Sequence, residues 1–159
     1  MHRRIKIGAV VAFLACLGFS FAASGSTSSV AASGGSDART IHVVEHAITD
    51  TQVPPTPDQT GAVLTFHNPV FNKADTKQVG SDRGDCVRIV PGASGTWECR
   101  WTTFLSGGQI TVEGPFNDTS NTVLSITGGT GNYRDARGQM PLLSRNGGAE
   151  FDFIFQLSD

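Results

Sequence analysis

The stretch AEFDFIFQL, residues 149–157 of a 159-residue chain, decides the fold. Successive side chains of a β-strand point to opposite faces, so this stretch separates cleanly into two sets. The large apolar side chains fall on one face: Phe151, Phe153, Phe155 and Leu157. The polar side chains fall on the other face: Glu150, Asp152 and Gln156. The pattern predicts a strand with one face in a core and the other in water.

The rest of the chain repeats this pattern in shorter runs rich in Val, Ile, Thr and Phe, broken by Gly, Pro, Asn and Asp. No apolar stripe at helical spacing lasts for three turns. We therefore predict an all-β fold with eight strands, at residues 40–48, 61–68, 76–79, 86–90, 96–105, 109–114, 122–127 and 149–157. The strand at 76–79 is weakly marked, and a strand at 138–144 is either a ninth or its replacement. Antiparallel strands of this kind form a sandwich or a closed barrel, and eight can close around one small ligand.

The amino terminus predicts export. Three basic residues among the first six precede an apolar run that ends in small residues, which is the pattern of a cleavable signal peptide over residues 1–23. Residues 24–38 are rich in Ser, Gly and Ala, and we expect a disordered leader before a folded domain at residues 39–159. Cleavage would leave nine basic residues against 14 acidic ones, a net charge of −5. We therefore expect a secreted protein that does not bind nucleic acid.

Two cysteines remain after this cleavage, and an even pair in an exported chain favours a disulfide. The turn at residues 91–95 predicts a hairpin with Val90 opposite Gly95 and Ile89 opposite Thr96. The same register places Cys86 directly across from Cys99, within reach of a disulfide. We therefore predict a Cys86–Cys99 bond.

Two motifs suggest metal or nucleotide chemistry, and we interpret both as structural. His42 and His46 match an inverted zinc-peptidase pattern, but in a strand four residues separate them by about 13 Å, too far to share one zinc. The segment TGGTG at 127–131 resembles a dinucleotide-binding loop, but that loop needs a third glycine and then a helix, and neither follows here. We expect no metal site and no cofactor.

Glu45 is the one charged residue that alternation places on the apolar face of the first strand, together with Ile41, Val43 and Ala47. Burial raises the pKa of a carboxyl group unless a partner compensates, and groups of this kind concentrate at functional sites. A structural hydrogen bond or ion pair is the alternative explanation.

Three segments carry a resemblance to a known family. GDCVRI at 84–89, ITVEGPF at 110–116 and SITGGTGNY at 125–133 together resemble the allene oxide cyclase family, and residues 128–138 also resemble dirigent proteins. The resemblance extends over residues 40–157. It implies an eight-stranded antiparallel closed β-barrel, usually trimeric, whose apolar cavity holds a reactive small molecule and steers its cyclisation or coupling without a cofactor.

The resemblance also implies site residues. Glu45 matches the cavity glutamate that assists epoxide opening in the plant cyclases, Asn68 matches an asparagine that holds a water, and Cys86 matches a cysteine of the cavity wall. Phe66 and Phe116 are expected to line the cavity. Phe116 replaces a tyrosine of the plant enzymes, and Ala47 stands where they carry a second asparagine.

Three functions follow as hypotheses. The first is a secreted cyclase or dirigent-type protein acting on an apolar, oxygenated small molecule, with Glu45 as the catalytic residue. The second is a non-catalytic extracellular barrel that binds an apolar ligand. The third is a structural domain with a filled interior. Homotrimer formation is an expectation of the resemblance alone.

Overall fold

The computed structural model describes residues 39–56 and 58–158 as one antiparallel sheet. The predicted signal peptide at 1–23 and leader at 24–38 lie outside these residues. Ten strands make up the sheet: β1 Arg39–His46, β2 Thr51–Val53, β3 Val63–Phe66, β4 Pro69–Asn72, β5 Gln78–Val90, β6 Thr96–Leu105, β7 Gly108–Asn117, β8 Thr122–Gly129, β9 Arg137–Arg145 and β10 Glu150–Ser158. Two short 3₁₀ turns, Gly131–Tyr133 and Asn146–Gly148, complete the regular structure.

The sheet closes into a barrel because β5 pairs with β4 along one edge and with β6 along the other. β3 and β4 together occupy one strand position in the barrel wall, and we call each such position a stave. Both pair with β5 in one register, and that register passes through the reciprocal backbone hydrogen bonds of Asn68 and Asp82. β1 and β2 likewise follow each other along this stave. The barrel therefore has eight staves, which confirms the predicted fold class.

The alternating faces supply the core, as the final strand predicts. Phe151, Phe153, Phe155 and Leu157 are all buried on the inner face of β10. Apolar side chains from all the other staves pack against these four residues. They include Trp101, Ile110, Leu124 and Met140. None of the helices in the described part of the chain is long and apolar enough to span a membrane.

Two predicted strand boundaries are wrong. Residues 76–79 do not form a separate strand, because their second half begins the 13-residue strand β5, which runs without a break through residues 80–85 to the predicted 86–90 segment. The alternative strand at 138–144 is present as β9 and takes its place in the barrel. Residues 69–72, which lie outside the predicted strands, form β4.

The predicted disulfide is present, and Cys86 and Cys99 are cross-strand partners with Cα atoms 4.0 Å apart. The register beside the turn is wrong, because a bulge at Ile89 makes Val90 the partner of Thr96. Below the bulge Arg88 pairs with Trp97, and the predicted register holds from there to the cysteines.

Removing this disulfide should lower the free energy of unfolding by roughly 3 kcal/mol, because the bond closes a loop of 13 residues in the unfolded chain. Guanidinium unfolding of the Cys86→Ser, Cys99→Ser double variant, beside the oxidised wild type, measures the difference. Reductant should shift the wild type toward the variant and leave the variant unchanged. An equal midpoint for both proteins would contradict the expectation.

Candidate functional site

The barrel contains a small cavity whose wall is mainly apolar and carries five aromatic rings. Its volume is about 40 Å³, measured as the space open to the centre of a water molecule, enough for two or three waters. Eleven residues line it: Glu45, Asp50, Leu64, Phe66, Cys86, Cys99, Trp101, Phe116, Leu142, Phe151 and Phe153. A larger ligand therefore requires some of the rings to move.

A second, more polar pocket of about 160 Å³ adjoins this cavity at the end of the barrel that carries the β7–β8 and β9–β10 loops. Asp50, Phe116, Leu142 and Phe151 belong to both walls. The rings of Phe116 and Phe151 meet edge to face, with centroids 5.6 Å apart. We call the second pocket the mouth, and the two rings form part of the boundary between it and the cavity.

Glu45 reaches the cavity from the inner face of β1 and is only 5 % exposed. The Asn68 side-chain amide donates to its Oε1 at 2.7 Å and to Oδ1 of Asp50 at 2.8 Å. Burial is the main cause that raises the pKa of Glu45 well above its ordinary value, and the nearby charge of Asp82 adds to it. Glu45 therefore keeps its proton to a higher pH than an exposed glutamate does.

Asp82 is the second buried carboxyl group of this site. It lies on the inner face of β5, fully buried, between Asn68 on one neighbouring stave and Thr103 on the other. The backbone N–H of Asn68 donates to Asp82 Oδ1 at 3.1 Å, and Oδ2 of Asp82 has no hydrogen-bond partner among the described residues. Burial raises the pKa of Asp82 to about 7.

The structure brings four of the five predicted site residues together: Glu45, Phe66, Cys86 and Phe116 all line the cavity. Asn68 does not line it, because its side chain lies behind Glu45. Its Oδ1 accepts the backbone N–H groups of Ile48 and Thr49, both at 3.0 Å. Asn68 therefore positions Glu45 rather than facing a ligand. Cys86 contributes a disulfide to the wall and no thiol.

Among the residues that the sequence-based prediction of the site lacks, three carry polar groups at or beside the cavity: Asp50, Asp82 and Trp101. Asp82 shares the side of the β5 ladder that carries Cys86, so the predicted register would have placed it inside had the strand been extended beyond residue 86. Trp101 follows Cys99 by two residues on β6 and was detectable in the same way. Asp50 lies in the segment between β1 and β2, where alternation gives no signal.

The two histidines lie outside the barrel on β1 and bind different partners. His42 Nε2 lies 2.8 Å from Asp152 Oδ1, and His46 Nε2 lies 2.8 Å from Asp75 Oδ1. His46 Nε2, a carboxylate oxygen of Asp75 and one of Glu150 lie within 4.8 Å of one another, a spacing compatible with a metal ion. The Arg145 guanidinium lies 3.8 Å from Glu150 and opposes a cation there.

Comparison with known proteins agrees with this architecture. Residues 41–154 match the family model described as an allene oxide cyclase barrel like domain. A pyocyanin demethylase is similar in structure, with a TM-score of 0.66 and 23 % identity, over 76 % of this chain and 100 % of that one. An exo-specific intermolecular Diels-Alderase matches with a TM-score of 0.57 and 16 % identity, over 75 % of this chain and 96 % of that one.

A pterocarpan synthase dirigent protein has a TM-score of 0.56 and 20 % identity, over 79 % of this chain and 94 % of that one. These likenesses concern the fold, since identity is low in all three. They include the dirigent barrel that residues 128–138 resemble. The family match covers most of the barrel and confirms the predicted relationship. The chain belongs to the family of allene oxide cyclase barrel-like domains.

Proposed function

We propose that this protein is a secreted, cofactor-free cyclase or isomerase of the dirigent type, which binds an apolar, oxygenated small molecule in the barrel and steers its ring closure. One observation carries the proposal: the buried carboxyl group of Glu45, held by the Asn68 amide, stands at the wall of a cavity that five aromatic rings line. The disulfide and the signal-like amino terminus support a location outside the cell.

Glu45 supplies the chemistry in this proposal. Its protonated carboxyl donates to a ligand oxygen and stabilises the negative charge that develops there, in a site with little water. The Asn68 amide holds Oε1 at 2.7 Å, so the other oxygen, Oε2, is the one available for donation. The nearby charge of Asp82 raises the pKa of Glu45 and so favours its protonated form. The rings meanwhile restrict the ligand to folded conformers, which lowers the entropy cost of closure.

2-Tetralone tests this role without knowledge of the natural substrate. It is a flat bicyclic ketone whose C1 hydrogens exchange with D₂O through the enol, a reaction that an acid at the carbonyl oxygen accelerates. The wild-type protein should accelerate exchange above the buffer rate, measured by NMR. Glu45→Gln keeps the shape and loses the acid, so it should reduce the protein-dependent rate roughly a hundredfold.

Glu98→Gln is the matched control, because Glu98 is exposed on β6. It should leave the exchange rate unchanged. Equal rates for wild type and Glu45→Gln, with both proteins folded by circular dichroism, would contradict the catalytic role of Glu45.

A non-catalytic barrel that binds an apolar ligand is the second candidate function. The observation that favours it is the hydrogen bonding of Glu45 to Asn68, which also fixes the backbone at Ile48 and Thr49 and gives the carboxyl a structural role. Binding of 2-tetralone without accelerated exchange would favour this function. Intrinsic fluorescence reports binding directly, since Trp101 lines the cavity and the chain has only two tryptophans.

A further inference from the structure

The walls of the cavity and of the mouth carry acidic groups and no basic one among the residues that the structure describes. Glu45 and Asp50 line the cavity, and Asp50 and Asp118 line the mouth. No lysine, arginine or histidine belongs to either wall. An anionic ligand would therefore meet no counter-charge along the path from the mouth to Glu45.

The nearest guanidinium does not reverse this balance. Arg88 lies beside the mouth, bonded to both carboxylate oxygens of Asp58 at 2.9 and 2.8 Å and to Asp118. Its side chain is only 5 % exposed, so it offers little surface to a ligand. Two carboxylates, Asp58 and Asp118, pair with this one cation, and Asp50 adds a further acidic group to the wall of the mouth, so the mouth keeps a negative field.

Asp50 is the group best placed to act on a ligand. It is exposed, it belongs to both walls, and its carboxylate accepts a hydrogen bond only from the neutral Asn68 amide within the described residues. No cation in this part of the chain pairs with it. Its charge therefore faces whatever enters between Phe116 and Phe151.

The inner wall adds two further requirements. Five aromatic side chains line it, and their faces attract flat rings and positive charge: Phe66, Trp101, Phe116, Phe151 and Phe153. The Glu45 carboxyl group stands at the same wall, and its donation to the ligand in the proposed function calls for a hydrogen-bond acceptor on that ligand.

We infer that the cavity selects a flat aromatic molecule that is neutral or positively charged and carries a hydrogen-bond acceptor, and that it excludes carboxylates. The inference rests on the proposed function, since it describes the ligand of that same cavity. It distinguishes this barrel's ligand from a fatty acid, whose carboxylate would have to pass Asp50.

Three naphthalenes that differ only in charge test the inference: 2-naphthalenemethanol, 2-(aminomethyl)naphthalene as the cation and 2-naphthoate as the anion. Isothermal titration at pH 7 and low salt should give binding of the alcohol and the amine, and at least tenfold weaker binding of the carboxylate. Added salt should reduce the difference, because the charge at the mouth is accessible to counterions. Asp50→Asn should reduce the ratio of amine to carboxylate affinity severalfold.

Asp135→Asn is the control, since Asp135 is 85 % exposed and lines neither space. It should leave the affinity ratio unchanged. If Asp50→Asn fails to fold, Asp118→Asn tests the same field from the other wall. Carboxylate binding as tight as that of the amine would overturn the inference and leave the proposed function intact. Absence of binding for all three ligands would contradict both.

Discussion

Replacing Arg88 with alanine should lower the free energy of unfolding by about 3 to 5 kcal/mol. The side chain is buried on the inner face of β5, where its guanidinium bonds Asp58, Asp118 and the carbonyl oxygen of Gly92. It also stacks on Trp97, with the guanidinium carbon 4.5 Å from the ring centroid. Its loss would leave two carboxylates facing each other at the end of the barrel, over a void where the stack had been.

The expected loss depends on burial, and a second arginine of the sheet provides the control. Arg100 pairs with Asp85 at 3.2 Å, but its side chain is 72 % exposed. Arg100→Ala should change stability by about 0.5 kcal/mol or less, because surface ion pairs contribute little. Arg88→Lys should fall between wild type and alanine, since an ammonium keeps the charge and loses the two-pronged geometry. Urea unfolding measures all three, and an Arg88→Ala midpoint near wild type would refute the expectation.

The sequence predicts the fold most reliably where side chains alternate. β10 is correct in type and orientation because large apolar and polar residues alternate along it at every position but Ile154. β5 is misread because its middle, GSDRGD at 80–85, has the composition of a turn. Those glycines are required by packing: a Cβ on Gly84 would lie 2.3 Å from the Cβ of Trp101. Close approach of a neighbouring strand is a tertiary cause that local composition does not reveal.

The site could be predicted in part for the same reason. Alternation places Glu45 inside, and the hairpin register places Cys86 opposite Cys99. Asp82 was missed because the strand that orients it was assigned too short. The hydrogen bonds that Asn68 makes with Glu45 and Asp82 join three neighbouring staves. Two of these staves pair although more than 20 residues separate them in the sequence. Such a meeting follows from barrel closure, which no single segment encodes.

Asp82→Asn should reduce a pH-dependent loss of stability that the wild type shows between about pH 4 and pH 7. Burial raises the pKa of Asp82 to about 7, above its ordinary value of 3.8. In this range the unfolded chain has released the Asp82 proton and the folded chain still holds it. The contribution of Asp82 to stability is therefore greatest below about pH 4 and falls as pH rises through 7.

The size of this effect follows from the linkage between proton binding and folding. Each pKa unit corresponds to about 1.4 kcal/mol, so Asp82 accounts for a loss of up to about 4 kcal/mol across the range. Asp82→Asn also removes a charge that raises the pKa of Glu45, so the variant should be more stable than wild type at pH 8. Asp85→Asn, on the outer face of the same strand, should follow the wild-type profile. Urea midpoints measured from pH 4 to pH 8 test the prediction, and parallel profiles for wild type and Asp82→Asn would show that Asp82 is ionised in the folded barrel throughout.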